Sequence, residues 1–243
     1  LRHQKVEIQN YSIFTGDVSG QKYNETATTP AFGVVLKPWG EDLSLYANYM
    51  EGLSQGDTDI NGKVYAPYQS EQYEVGAKWD LGRFRNTLSL YQISKPVLIN
   101  DLVNNTSSDG GEQRNRGVEW TTAGALTDNI RLMGGVAYLD AVQTKTQGSI
   151  NDGKDAMGIP HWQSNLGMEW DVSYKQGLTL TANTTYTGSM YADVANTQKL
   201  PSWTEVDLGG RYSTQLANKN VVFRGGIDNV FNKNHWAGVW NGF

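Results

Sequence analysis

Tyr73-Glu74-Val75-Gly76-Ala77-Lys78-Trp79-Asp80-Leu81 is the stretch whose reading decides the fold. Tyr73, Val75, Ala77, Trp79 and Leu81 share one parity, and Glu74, Gly76, Lys78 and Asp80 share the other. A strand turns successive side chains to opposite faces, so a period of two predicts a strand with one apolar and one polar face. The same alternation recurs on either side. Leu43, Leu45, Ala47 and Tyr49 oppose Ser44, Tyr46 and Asn48, and Leu88 and Leu90 oppose Thr87, Ser89 and Tyr91. Further on, Leu166, Met168 and Trp170 oppose Asn165, Glu169 and Asp171, while Leu178, Leu180, Ala182 and Tyr186 oppose a row of threonines and Asn183. Val206, Leu208 and Tyr212 oppose Glu205, Asp207 and Arg211. A helix would place apolar residues three and four apart, which these segments do not do.

Composition alone points elsewhere. Only 38% of the 243 residues are hydrophobic and the mean hydropathy is -0.53, values ordinary for a soluble domain. A barrel wall between lipid and a wet lumen, however, needs an apolar residue only at every second position, so low hydropathy does not exclude a membrane. No stretch approaches the roughly 18 consecutive apolar residues of a spanning helix. With no cysteine, disulfides, thiolate metal sites and cysteine nucleophiles are excluded. The net charge of -5, without a basic run, argues against a nucleic-acid partner. The 27 Gly, 13 Tyr and 8 Trp suit crowded strands and a membrane interface. A soluble β-sandwich would meet the same composition.

The connections separate the two. Short ones centre on residues 38–42, 81–83, 124–128, 172–177 and 214–220, and between them lie long polar stretches at 10–28, 54–70, 95–113, 142–160 and 189–201. Outer-membrane barrels have short periplasmic turns and long extracellular loops, whereas a sandwich has no reason to sort them this way. The expectation is therefore an all-β, antiparallel, up-and-down transmembrane barrel of about eleven strands. An odd count leaves an open edge in lipid, so an incomplete portion of a barrel is expected.

Several segments resemble consecutive strands of TonB-dependent siderophore receptors. They include Thr28-Thr29-Pro30-Ala31-Phe32-Gly33-Val34-Val35-Leu36-Lys37-Pro38-Trp39, Gly111-Glu112-Gln113-Arg114-Asn115-Arg116-Gly117-Val118-Glu119, Pro201-Ser202-Trp203-Thr204 and Asp228-Asn229-Val230-Phe231-Asn232-Lys233-Asn234. The resemblance runs along nearly the whole chain in order. It implies that residues 1–243 are the C-terminal portion of a 22-stranded plugged barrel, without the plug, the TonB-contacting box, the early strands and the closing strand. It further implies a bacterial outer-membrane location, contact with outer-membrane lipid, a ferric siderophore as cargo, and energy from TonB through the N-terminal region of the parent protein. A passive porin, or a receptor for haem, cobalamin or another metal chelate, is the alternative.

No enzyme is expected. His3, His161 and His235 are too scattered for a metal cluster, and no Gly-x-Ser-x-Gly elbow occurs. Glu169 with Asp171, and Glu205 with Asp207, share a lumenal face at two-residue spacing, where salt bridges to Arg131 or Arg211 account for them without acid–base chemistry. Asp57-Thr58-Asp59-Ile60-Asn61-Gly62 matches half of a calcium loop, but position twelve is Tyr68 instead of Glu, which favours a solvated turn. No cofactor or metal site is expected. The candidates for contact with a bulky chelate are aromatic: Tyr68, Tyr91 and Trp203, placed toward the lumen by parity, and Tyr191, Trp236 and Trp240 in loops. Each also suits an interface girdle or loop packing.

Overall fold

The computed structural model describes residues 1–59, 61–101, 104 and 106–239, without the side chains of residues 20, 21 and 101. Two strands, β1 (Arg2–Tyr11) and β2 (Val18–Thr29), form an antiparallel pair. The chain continues through β3 (Ala31–Leu36), β4 (Leu43–Ser54), β5 (Tyr68–Leu81), β6 (Phe84–Asp101), β7 (Thr106–Ala125), β8 (Ile130–Lys145), β9 (Trp162–Asp171) and β10 (Leu178–Thr187). A small hairpin, β11 (Met190–Tyr191) with β12 (Lys199–Leu200), precedes β13 (Trp203–Leu216) and β14 (Lys219–Ile227). Ten strands form one sheet in the order β14-β13-β10-β9-β8-β7-β6-β5-β4-β3, so each pairs with its neighbours in sequence. Among the described residues no ladder joins β14 to β1.

Pro30 separates β2 from β3 and has no N–H to give to a ladder. The run changes partner there, from β1 to β4, and the Pro30 carbonyl accepts the Glu51 N–H at 3.1 Å. With β2 and β3 counted as one pass, β1, that run, β4 to β10, β13 and β14 make eleven passes. That agrees with the count expected from alternation.

Two expected loops are largely strand. Residues 10–28 contain most of β2, and residues 95–113 continue β6 and β7 as a hairpin with Lys95 opposite Gln113 and Asn100 opposite Ser107. The reason is physical. A membrane crossing needs about 9–11 strand residues, and β7 has 20. The excess stands in water on both faces, where backbone pairing continues but nothing requires side chains to alternate. The opposite end is tight. Ala217 and Asn218 both have positive φ, at 48° and 61°, which suits a two-residue turn between twisted strands. Neighbouring turns there are tied by Arg83 to Asp128 at 2.5 Å and by Asn129 Nδ2 to Ser173 Oγ at 2.7 Å.

The sheet is one layer thick, so the apolar parity has no second layer to cover it. Val75, Leu90 and Leu166 remain half-exposed, as side chains whose solvent is lipid should. On that face Phe32 stacks on Tyr49 at 6.5 Å, Tyr49 meets Tyr73 at 4.9 Å, and Tyr138 meets Trp162 at 4.9 Å. Such a row marks a membrane–water interface. No helix among the described residues is long and apolar enough to cross a membrane.

Candidate functional site

On the polar face, Tyr46 of β4 stands opposite Gly76 of β5, and a Cβ at Gly76 would come within 2.5 Å of the tyrosine Cζ. The missing side chain lets the ring lie flat across the neighbouring strand. Its hydroxyl donates to Glu74 at 2.7 Å and lies 2.8 Å from Ser89 Oγ. Tyr91 of β6 repeats the arrangement. It lies opposite Gly117 of β7, where a Cβ would come within 2.4 Å, and donates to Glu119 at 3.0 Å.

Nearer the short turns, Arg131 reaches Glu169 at 2.9 Å and Asp171 at 2.7 Å, and Arg211 reaches Glu169 at 2.8 Å. Thr179 Oγ1 donates to Asp171 at 2.6 Å. These carboxylates are thus paired as their spacing led us to expect. Glu205 has His235 Nε2 at 3.9 Å, and Asp207 accepts the Asn229 N–H at 2.8 Å.

At the other end, residues 146–161 and 188–202 fold against each other. Asn196 accepts the Asp155 N–H at 2.8 Å and donates to the Asp155 carbonyl at 3.0 Å. From β8, Gln143 Nε2 donates to the carbonyls of Asp155 at 3.0 Å and Val194 at 2.9 Å, and the Gly158 N–H donates to the Tyr191 carbonyl at 2.8 Å. His161 Nε2 lies 3.1 Å from Asp155 Oδ2. Ala156 and Met190 are each 3% exposed, so these loops enclose a small core of their own. Asp193 accepts the backbone N–H groups of Gln198 at 2.7 Å and Thr197 at 2.9 Å, bonds that hold its carboxyl below the ordinary aspartate range. Asp152 is lowered likewise, first by the Thr146 hydroxyl. Between the joined loops and the β6–β7 hairpin is a cleft of about 330 Å³ whose lining includes Ile99, Gln113, Gln143, Lys145, Met157 and Val194. Lys145 is paired with Glu112 at 2.8 Å.

The six aromatic candidates do not share one place. Tyr68 opens β5 and is only 9% exposed. Tyr91 lies in the wall as described. Tyr191 has the Lys199 Nζ 5.4 Å from its ring centre, and Trp203 stacks on His235 with centroids 3.9 Å apart. Trp236 is 68% exposed. Trp240 lies outside the described residues. Tyr191 and Trp203 end the same loop, and Val239 approaches Gly158, which is bonded to Tyr191. Tyr68 and Tyr91 belong to the β5–β6 side, and none of the five described candidates lines the cleft.

The cleft residues were not singled out by sequence. Gln113 and Gln143 form a cross-strand pair on the lumenal parity, a signal that the strand pattern contains. Met157 and Val194 have no such signal, because only the folding of two loops brings them together. The half calcium loop is a turn: Asp59 Oδ1 accepts the N–H groups of Asn61 and Lys63, each at 2.8 Å. Among the described residues no group of three His, Cys, Asp or Glu is placed to hold a metal.

Comparison with known proteins accounts for this architecture. The model of the TonB dependent receptor-like, beta-barrel family matches residues 1–230. The ferrichrome receptor FcuA of Yersinia enterocolitica is 36% identical over 98% of this chain and 33% of its own length. The metal-pseudopaline receptor CntO of Pseudomonas aeruginosa is 31% identical over 92% of this chain and 32% of its own. The crystal structure of BauA, the ferric preacinetobactin receptor from Acinetobacter baumannii, superposes with a TM-score of 0.78 at 41% identity, covering 89% of this chain and 34% of that one. The chain thus spans about a third of the length of the curated relatives it matches. With a family match across most of its length and the same strand arrangement in a solved receptor, the chain belongs to the TonB-dependent receptor β-barrels, which are outer-membrane proteins.

Proposed function

We propose that this chain forms part of the wall and mouth of a receptor that binds a ferric siderophore outside the cell and imports it across the outer membrane. Energy reaches it through TonB, by way of regions of the parent protein other than those described here. The observation that carries this reading is the identity with FcuA, a ferrichrome receptor, along 98% of the chain. The geometry fits it. Tight turns close one end of the wall, folded loops crowd the other, and a cleft opens among those loops where an extracellular ligand would arrive. Iron arrives already chelated, so the wall has to recognise the outside of the chelate and supplies no iron ligands. The full-length receptor, expressed in a strain lacking its own siderophore receptors, is expected to take up radiolabelled ferric siderophore only when TonB is present. Uptake that persists without TonB would point to passive diffusion and sink the proposal.

A further inference from the structure

The outward face of β5 to β8 changes character toward the long loops. Val75, Leu90, Val118 and Tyr138 line a groove of about 380 Å³ on that face, and Arg116 stands at its loop-side end. Arg116 shares the parity of Val118, lies opposite Gln92 of β6, and is exposed. Tyr73 also pairs with Gln92, so Arg116 is level with the aromatic row that marks the membrane–water interface. Arg114 follows on the same face, about 7 Å nearer the loops. The protein leaves both guanidinium groups without an anion. Gln92 Oε1 accepts from Arg116 Nε at 2.7 Å, and among the described residues neither Nη group of Arg116 has a partner. Asp140 of β8 stands opposite Arg116, yet the two form no ion pair, and the guanidinium is turned to Gln92 on the other side. Arg114 forms no ion pair either. Glu112, the carboxylate it acts on, is already bonded to Lys145 at 2.8 Å and to the Thr144 hydroxyl at 3.0 Å. The two arginines outnumber Asp140, while Glu112 and Lys145 cancel, so this part of the outward face is left cationic.

A guanidinium with both Nη groups free at headgroup depth is a fork for two phosphate oxygens, and the apolar groove below it suits hydrocarbon. We infer that β6 to β8 form a docking site for an anionic lipid of the outer leaflet, its phosphate on Arg116 and Arg114 and an acyl chain along Val75, Leu90 and Val118. A zwitterionic lipid brings its own cation to the arginines and gains less there. Glu51 and Glu71, opposite each other on β4 and β5, face the same way, and Ser94 separates Glu71 from Arg114. Their repulsion confines the phosphate to β7. The site lies on the outside of the wall, so it holds whatever cargo the barrel passes.

The test places the full-length receptor in phosphatidylcholine bilayers with a trace of phosphatidic acid or phosphatidylcholine carrying the same photoreactive acyl chain. Crosslinks are mapped by peptide mass spectrometry. Met168 and Leu180, which face outward on β9 and β10, supply the reference within each sample and show that the wall is in place. At Leu90 and Val118 the yield with phosphatidic acid, relative to that reference, should exceed the yield with phosphatidylcholine by at least about fivefold. Arg114→Gln and Arg116→Gln should each lower this preference roughly threefold or more. Arg224→Gln, which removes a cation of lumenal parity opposite Arg211, should change it by less than about twofold. Equal preference in the groove and at the reference overturns the inference. So does a preference that survives both arginine substitutions, or one that Arg224→Gln lowers as much as they do. Displacement of the lipid by millimolar inorganic phosphate would make this a free-anion site and overturn the lipid assignment.

Discussion

Gly76 and Gly117 both hold a tyrosine ring flat, but their surroundings make different demands. At Gly76 a Cβ would also meet the Leu88 carbonyl at 2.6 Å, which is backbone and cannot swing aside, whereas at Gly117 each of the three nearest atoms belongs to the Tyr91 side chain. Gly76→Ala should therefore destabilise the folded receptor by about 1–3 kcal/mol, as overpacking does, and Gly117→Ala by less. Urea titration of the reconstituted protein checks the order. Tyr91→Ser should relieve the Gly117→Ala cost and leave the Gly76→Ala cost unchanged, because only the first pair shares the Tyr91 ring. Asp193 supports a pH prediction at the same scale. Its folded pKa is depressed, so its contribution to loop order is complete above the ordinary aspartate value and is lost as pH falls through the depressed one. Hydrogen exchange at the amides of Thr197 and Gln198 should lose protection relative to strand amides across that acid range. Asp193→Asn, which cannot titrate, should flatten the dependence.

At the scale of elements, the β6–β7 hairpin divides into a part that crosses lipid and a part that rises above it. Replacing residues 98–110 by a short turn should leave the barrel wall able to assemble, because the pairing from Tyr91 opposite Gly117 down to Phe84 opposite Gly124 is untouched. Retained heat-modifiable migration on gels, together with protease resistance of the remaining wall, is the expected outcome. The hairpin also shows where the sequence was legible. Alternation located the crossing strands wherever one face meets lipid and the other water, as from Tyr73 to Leu81, and the sorting of short and long connections set the two ends apart. It was silent in much of β2 and in the upper hairpin, where pairing continues without requiring side chains to alternate. The candidate site was less legible still. Parity placed Tyr91 toward the lumen, and the Glu169–Arg131 and Glu169–Arg211 contacts followed from the same rule. Met157 and Val194 reach the cleft through loop-on-loop folding, whose anchors, Asn196 to Asp155 and Gln143 to Val194, are polar contacts between residues 41 and 51 positions apart.

For the whole molecule, the decisive property is that one sheet separates two solvents. Leu90, 51% exposed, points to the lipid side near the middle of its crossing, and Thr121 of the adjoining strand has lumenal parity. Leu90→Arg should lower stability in bilayers by about 2–4 kcal/mol, while Thr121→Arg, with water to receive the charge, should cost much less. Folding titrations into lipid vesicles distinguish the two. A larger penalty for Thr121→Arg would mean that the faces are assigned the wrong way round, and equal penalties that the sheet does not separate two solvents. The tyrosine and glycine pairs acquire a further meaning at this scale. A ring pressed flat on its neighbouring strand leaves the bore wider than one standing upright, and Tyr46 and Tyr91 both recline on the lumenal side. A bulky residue at Gly76 or Gly117 would lever the phenol inward, so those two glycines govern the clearance along this part of the wall.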